Sequence, residues 1–307
     1  MKITFATVGT LLCIASLTSC LRTQTTTNLE DTEVVDSVSL ANTDAATDDL
    51  NKSKTIFYTL PAPIEMASII KETGVRFDEQ LLSPLAKSSK YSSNMKMALN
   101  LGIYATDMSV TGMFNQSQRM VDYLSTLKTL TQKLGIVKIL DEDMLSRLES
   151  SDLSRQEALN MISEVYINTN QYLAENNRRN IATMVMAGAW VEGVYLALNL
   201  VNPDKLNADI VGRLVAQKLS LTTMLTIIDG MNVNNSDEDL TYIRSKMDEI
   251  SAVFDAVEVP VSGRVSAITD AETKTTTIHA NKPGTLDKDI LLALKDVVSQ
   301  VRNEFAE

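Results

Sequence analysis

The chain has 307 residues, a formal net charge of −11, one histidine and two cysteines. That charge excludes a nucleic-acid surface, which needs a basic stripe to displace counterions. One histidine, with no Gly-x-Ser-x-Gly elbow, phosphate loop or His-Glu-x-x-His motif, leaves the common hydrolase and nucleotide-binding chemistries without their residues.

The N-terminal residues read as an export signal. Met1-Lys2 is a short positive region, Ile3 to Leu17 is apolar but short for a span, and Leu17-Thr18-Ser19-Cys20 supplies small residues ending in a thiol. LTSC resembles the lipobox of bacterial lipoproteins. The resemblance implies removal of residues 1–19 and attachment of diacylglycerol to Cys20, with palmitate-type chains as the membrane anchor. The other reading is an ordinary secretory signal with a chance cysteine. Because Cys13 lies in the removed part, no thiol would remain for a disulfide, catalysis or metal binding. Leu21, rather than Asp, follows Cys20. By resemblance to the enterobacterial sorting rule this points to the outer membrane, and the lack of an acidic cluster after Cys20 favours its periplasmic face over the cell surface.

Residues 20–54 are rich in Thr, Asp, Asn and Ser without an apolar period, and are predicted to be a flexible tether. Such a chain averages roughly 30 Å end to end. Within it Asp36-Ser37-Val38 resembles Bacteroidota O-glycosylation sites, and chance explains a match this short equally well.

Residues 55–307 are predicted to form one all-α domain, a multi-helix antiparallel bundle; few glycines and prolines favour helix over many short strands. PIEMASIIKETG ends at Gly74, placed for a C-cap. Ser154 with Glu157, and Ser236 with Asp239, have capping-box spacing. Asn202-Pro203-Asp204 reads as the start of a helix running to Asp229-Gly230. Leu240, Ile243, Met247, Ile250 and Phe254 form one apolar stripe, and Ile290, Leu294, Val297, Val301 and Phe305 another. Between them, residues 261–280 are rich in Thr, Val and Ile and are predicted to form a small β-hairpin insertion leaning on the helical body.

Two helices differ from the rest. In residues 97–114, Ala98, Gly102, Ala105, Ser109 and Gly112 share one face, and the other faces are also apolar, as expected of a helix surrounded by neighbours. Residues 184–200 repeat the device; with Ala182 before them, Ala189, Gly193 and Ala197 share a face. Gly102-Ile103-Tyr104 parallels Gly188-Ala189-Trp190, and TLTQKLGI at 129–136 parallels LVAQKLSL at 214–221. Duplication of a helical hairpin and chance similarity both account for these matches.

Ile181 to Leu200 is long enough to span a bilayer with Glu192 as its only charge. We expect a buried central helix instead, because the neighbouring helices have apolar faces needing a partner and a lipid anchor already supplies attachment. A buried Glu192 must be paired or protonated, and Asp107 poses the same problem. The expected arrangement is that each accepts hydrogen bonds from Tyr104, Tyr195, Arg119 or a capping amide. The alternative is a metal, proton-transfer or ligand site made by the two carboxylates. A ferritin-like metal centre would need Glu-x-x-His pairs, and the only histidine, His279, lies in the predicted hairpin. Met95 with Met97, and Met184 with Met186, point to opposite sides of a helix and are expected in the core.

PIEMASIIKETG, LNLGIYATDMSVTGMFNQSQ and GAWVEGVYL together resemble a group of Bacteroidota lipoproteins that has no established activity; the similarity runs from residue 58 to about 256. The function expected is that of a lipid-anchored envelope lipoprotein, a non-enzymatic binding or scaffold module. No cofactor or metal is expected, and its partners would be the membrane and an envelope protein. Tyr104, Trp190 and Tyr195 would face a groove or partner. The alternative is a small-molecule or metal-ion-binding lipoprotein whose site is built on Asp107 and Glu192.

Overall fold

The computed structural model describes residues 62–72, 74–136, 146–147, 154–204, 208–258, 266–270, 275–279 and 286–307, all within the unit Thr47–Glu307. The expected signal segment, Cys20, and the tether with Ser37 lie outside the described residues.

The body is all-helical. Its α-helices are α1 (Pro63–Glu72), α2 (Asn94–Met113), α3 (Ser117–Lys133), α4 (Arg155–Glu175), α5 (Arg179–Leu200), α6 (Ala208–Met231), α7 (Glu238–Phe254) and α8 (Lys288–Ala306). Two short 3₁₀ turns, Glu79–Leu81 and Leu85–Ser89, lie between α1 and α2. Strands β1 (Ser266–Asp270) and β2 (Thr275–His279) pair antiparallel with Ser266 opposite His279. Their side chains, and the expected lean of this segment on the helices, lie outside the described residues.

Local chemistry sets most helix ends. Gly74 adopts φ +72°, the left-handed conformation that suits glycine after a helix. At α4 the capping box forms in full: Ser154 Oγ accepts from the Glu157 amide, and Glu157 Oε2 accepts from the Ser154 amide at 3.1 Å. Ser154→Ala is expected to cost about 1 kcal/mol, measurable as a lowered midpoint in chemical denaturation; an unchanged midpoint would mean the box contributes nothing.

Two starts differ from expectation. The N-cap of α7 is Asp237, whose Oδ1 accepts from the Leu240 amide at 3.1 Å, while Ser236 Oγ donates to the Val233 carbonyl. A carboxylate satisfies the positive end of a helix better than a hydroxyl does, and Asn232 Oδ1 fixes Asp237 by accepting its amide at 2.8 Å. Asn202 Oδ1 accepts from the Asp204 amide, but this closes a turn, and the described part of α6 begins at Ala208.

The C-terminal end of α8 receives three side chains from the α2 side. Lys96 Nζ donates to the Glu304 carbonyl at 2.6 Å, Asn100 Nδ2 to Phe305 at 2.8 Å and the Tyr91 hydroxyl to Ala306 at 3.1 Å. These are carbonyls the helix cannot satisfy itself, and Lys96 also places positive charge at the negative end of the dipole.

Helix α5 is the axis of the body: α1, α2, α4, α6, α7 and α8 all pack on it. It is long and apolar enough to cross a membrane, yet 94% of its most apolar window is buried inside the protein, as a core helix requires. In α2 every residue from Met97 to Gly112 is buried.

Where α2 crosses α5, the backbones touch. A Cβ on Gly102 would lie 2.0 Å from the Val185 carbonyl oxygen, and one on Gly188 would lie 2.0 Å from that of Leu99. The glycines that open the two similar tripeptides thus each lie against the backbone of the other helix at this crossing. The rest of each small-residue stripe serves other neighbours, Gly112 facing Leu159 of α4 and Met120 of α3, and Gly193 facing Met66 of α1.

The stripe of α7 is buried as expected, from Leu240 to Phe254. On α8 three of the five expected residues, Leu294, Val301 and Phe305, are buried, and Leu291 and Val298 complete the buried face in place of Ile290 and Val297, which are half-buried beside it. The face is thus wider on the side that holds Arg302, which is only 5% exposed.

Candidate functional site

Arg302 enters the core from α8 and meets the two carboxylates singled out by sequence. Its Nε donates to Glu192 Oε2 at 2.8 Å and its Nη2 to Glu192 Oε1 at 3.1 Å, a two-pronged pair that fixes both planes. The same Nη2 lies 2.6 Å from Ser83 Oγ and 3.3 Å from the Leu81 carbonyl. The guanidinium stacks 4.7 Å from the ring centroid of Tyr195. Glu192 and Asp107 are completely buried.

The segment Leu81–Pro84, which runs from the end of the first 3₁₀ turn to the start of the second, explains why so many polar groups are gathered here. Helices satisfy their own backbone, whereas a buried irregular segment needs partners from elsewhere. The Ser83 amide donates to Asp107 Oδ2 at 2.9 Å, and the Ser83 carbonyl accepts from the Tyr123 hydroxyl at 2.8 Å. The Pro84 carbonyl accepts from the Tyr104 hydroxyl at 3.0 Å. With the two contacts from Arg302, this four-residue strap is tied to α2, α3 and α8.

The electrostatics of the cluster follow from one cation facing two acids. Burial holds the Asp107 carboxyl well above the usual carboxylate range, and the charge of Glu192 pushes it further; Arg302 and the Ser83 amide oppose the rise without cancelling it. Asp107 Oδ1 has no hydrogen-bond donor among the described residues. Burial works against the charged form of Arg302, and Glu192 more than compensates, leaving the guanidinium above its ordinary value. Burial also raises the hydroxyls of Tyr104 and Tyr123, so both remain donors to the strap.

The structure brings together Asp107, Glu192 and Tyr195, the last through Arg302. Tyr104 joins them by way of the strap, its hydroxyl binding Pro84 rather than a carboxylate. Trp190 stands apart, 2% exposed with its ring 6.5 Å from that of Phe254, and its indole N–H has no acceptor among the described residues. The expectation that Tyr104 and Trp190 face a groove or partner is therefore corrected: both lie on helices enclosed on all sides, and Tyr104 has no exposed surface. Arg119, expected as a donor to the carboxylates, pairs instead with Glu79 near the surface. The expected capping amide is that of Ser83.

Sequence reasoning missed Arg302 and Ser83. Arg302 carries a signal, because it is the one cation four residues after Val298 and three before Phe305, both buried. Ser83 sits in a segment with no periodic pattern to read.

Among the described residues no cluster of three potential metal-ligating side chains is found. The cavity bounded by Leu101, Ala105, Met108, Leu124, Ile162 and Val185 offers about 30 Å³ and is not lined by either carboxylate. That volume admits a few waters at most. No family model, curated protein or solved structure matches the chain.

Proposed function

We propose that the protein is a lipid-anchored envelope lipoprotein whose helical body is a non-enzymatic binding or scaffold module, held at the membrane through Cys20 and presented to an envelope partner. The observation that carries this reading is the way the central charges are used. Both oxygens of Glu192 accept from Arg302, and the remaining reach of Arg302 goes to Ser83 and Leu81. Groups bonded to one another in this way fix the shape of a body. A catalytic pair would be open to a substrate, whereas Asp107 and Glu192 are completely enclosed and line neither described cavity. The LTSC sequence supports the anchor, and two acyl chains on Cys20 would give attachment that a single chain cannot.

Two measurements test the reading. Cells fed radiolabelled palmitate should label the wild-type chain and fail to label Cys20→Ala; an unlabelled wild type would remove the anchor. Thermal fluorimetry of the full-length chain in detergent should show no saturable shift with Zn²⁺, Mn²⁺, Ca²⁺ or Mg²⁺. A shift present in wild type and lost in both Asp107→Asn and Glu192→Gln would favour a metal-binding lipoprotein instead.

A further inference from the structure

The Leu81–Pro84 strap is held by an unusual set of groups. Three of its five ties end on the buried ionisable side chains of Asp107 and Arg302, and two on tyrosine hydroxyls. The Ser83 amide rests on Asp107, the Ser83 hydroxyl and Leu81 carbonyl on Arg302, and the Ser83 carbonyl on Tyr123. Asp107 has one oxygen bonded to the strap and the other, fully buried, without a donor. Among the described residues the charges acting on Asp107 are those of Glu192 and Arg302, and Arg302 already holds both Glu192 oxygens.

We propose that a proton on Asp107 latches the strap to the helical body, so that the strap is held while the proton is present and let go when it leaves. With that proton in place, Arg302 and Glu192 are left as one matched pair. Without it, two carboxylates face a single guanidinium in a site closed to water. The cheapest relief is to admit water to Asp107, and the strap is the cover that must move to do so. The helices cannot yield as readily, because α2 and α5 are in backbone contact at Gly102 and Gly188.

The groups around Asp107 leave it few other ways to balance its charge. Glu192 and Tyr195 face it from α5, Arg302 from α8, Tyr123 from α3, and Tyr91 and Tyr104 from the α2 side. Arg119 acts on Tyr123, and Asp78, from the segment before the strap, acts on Tyr195. The inward residues of α1 are Pro63, Met66, Ala67 and Ile70, which carry no charge. Among the described residues Arg302 is the buried cation that acts on Asp107, and Glu192 already occupies it.

The direction with pH follows from linkage. Asp107 in the closed state holds its proton above the pH at which an exposed carboxyl, near about 3.9, would lose it. The closed state therefore binds more protons than the open state over that window. Closure is fully favoured below the ordinary carboxylate range and weakens as the pH rises through the titration of the buried group. One proton allows the opening constant to rise by at most about tenfold per pH unit.

The test is hydrogen exchange of the full-length chain in detergent, followed between pH 5 and pH 9 and corrected for the intrinsic dependence of exchange on pH. The amides of Leu82 and Ser83 should lose protection with rising pH by up to about tenfold per unit, while those of α5 do not. Asp107→Asn, which keeps the acceptor for Ser83 and supplies a permanent donor to Glu192, should abolish the dependence. Equal pH dependence in the variant, or none in wild type, would overturn the latch. If the variant does not fold, infrared spectroscopy of wild-type chain with ¹³C-labelled aspartate decides. A protonated carboxyl band that persists above the ordinary carboxylate range and vanishes in step with strap release supports the proposal, and its absence above that range refutes it.

Discussion

Gly188→Ala is expected to be among the most destabilising single-methyl changes the protein can suffer, at least about 3 kcal/mol, the upper end of ordinary overpacking. The added carbon would lie 2.0 Å from the Leu99 carbonyl oxygen and 2.8 Å from its carbon. Those are backbone atoms of a helix buried along nearly its whole length, so relief requires α2 and α5 to separate and the core around both to open. Gly102→Ala, aimed at Val185, should behave alike. Two other glycines calibrate the effect. At Gly193 the new carbon would meet only the Met66 side chain, at 2.9 Å, and a flexible thioether can move, so the loss should be smaller. At Gly212, on α6, nothing lies within 4 Å, and alanine there should stabilise by up to about 1 kcal/mol through helix propensity. Urea denaturation of the four variants should order them accordingly. Near-equal losses at Gly188 and Gly193 would mean that α2 and α5 do not approach as described.

The second large effect is expected at Arg302. Arg302→Met leaves Glu192 buried and unpaired and removes the donor from Ser83 Oγ and the Leu81 carbonyl, a loss of about 3–5 kcal/mol. Arg302→Lys should recover little, since a single ammonium cannot reach both Glu192 oxygens and the strap at once. The double variant Glu192→Leu/Arg302→Met should be more stable than Arg302→Met alone, because replacing a buried pair with apolar groups avoids the stranded charge. A double variant as unstable as the sum of the singles would show that the two side chains are not coupled.

Much of this was legible in the sequence, for reasons that differ between elements. Periodicity exposed α7, where a stripe from Leu240 to Phe254 has one solution. It also marked α2 and α5 as enclosed, because apolar residues on every face leave no side for water. The burial of Glu192 and Asp107 followed from the same fact. Their partner did not. The expected stripe shares Leu294, Val301 and Phe305 with the buried face but takes Ile290 and Val297 in place of Leu291 and Val298, and it is beside these last two that Arg302 turns inward. The strap was illegible for a deeper reason: Leu81–Pro84 has no period, and its place is set by contacts to α2, α3 and α8, far away along the chain. The aromatic residues misled because Tyr104 and Trp190 have polar tips that suggest a surface. In the fold one tip serves the strap and the other is enclosed beside Phe254.

Native-state hydrogen exchange in α5 reaches the centre of the account most directly. If Arg179–Leu200 is the axis on which the other helices pack, the amides from Ala187 to Leu198 should exchange only through global unfolding, with an opening free energy equal to that from urea denaturation. Exchange of those amides through smaller openings, while α7 and α8 stay protected, would contradict it.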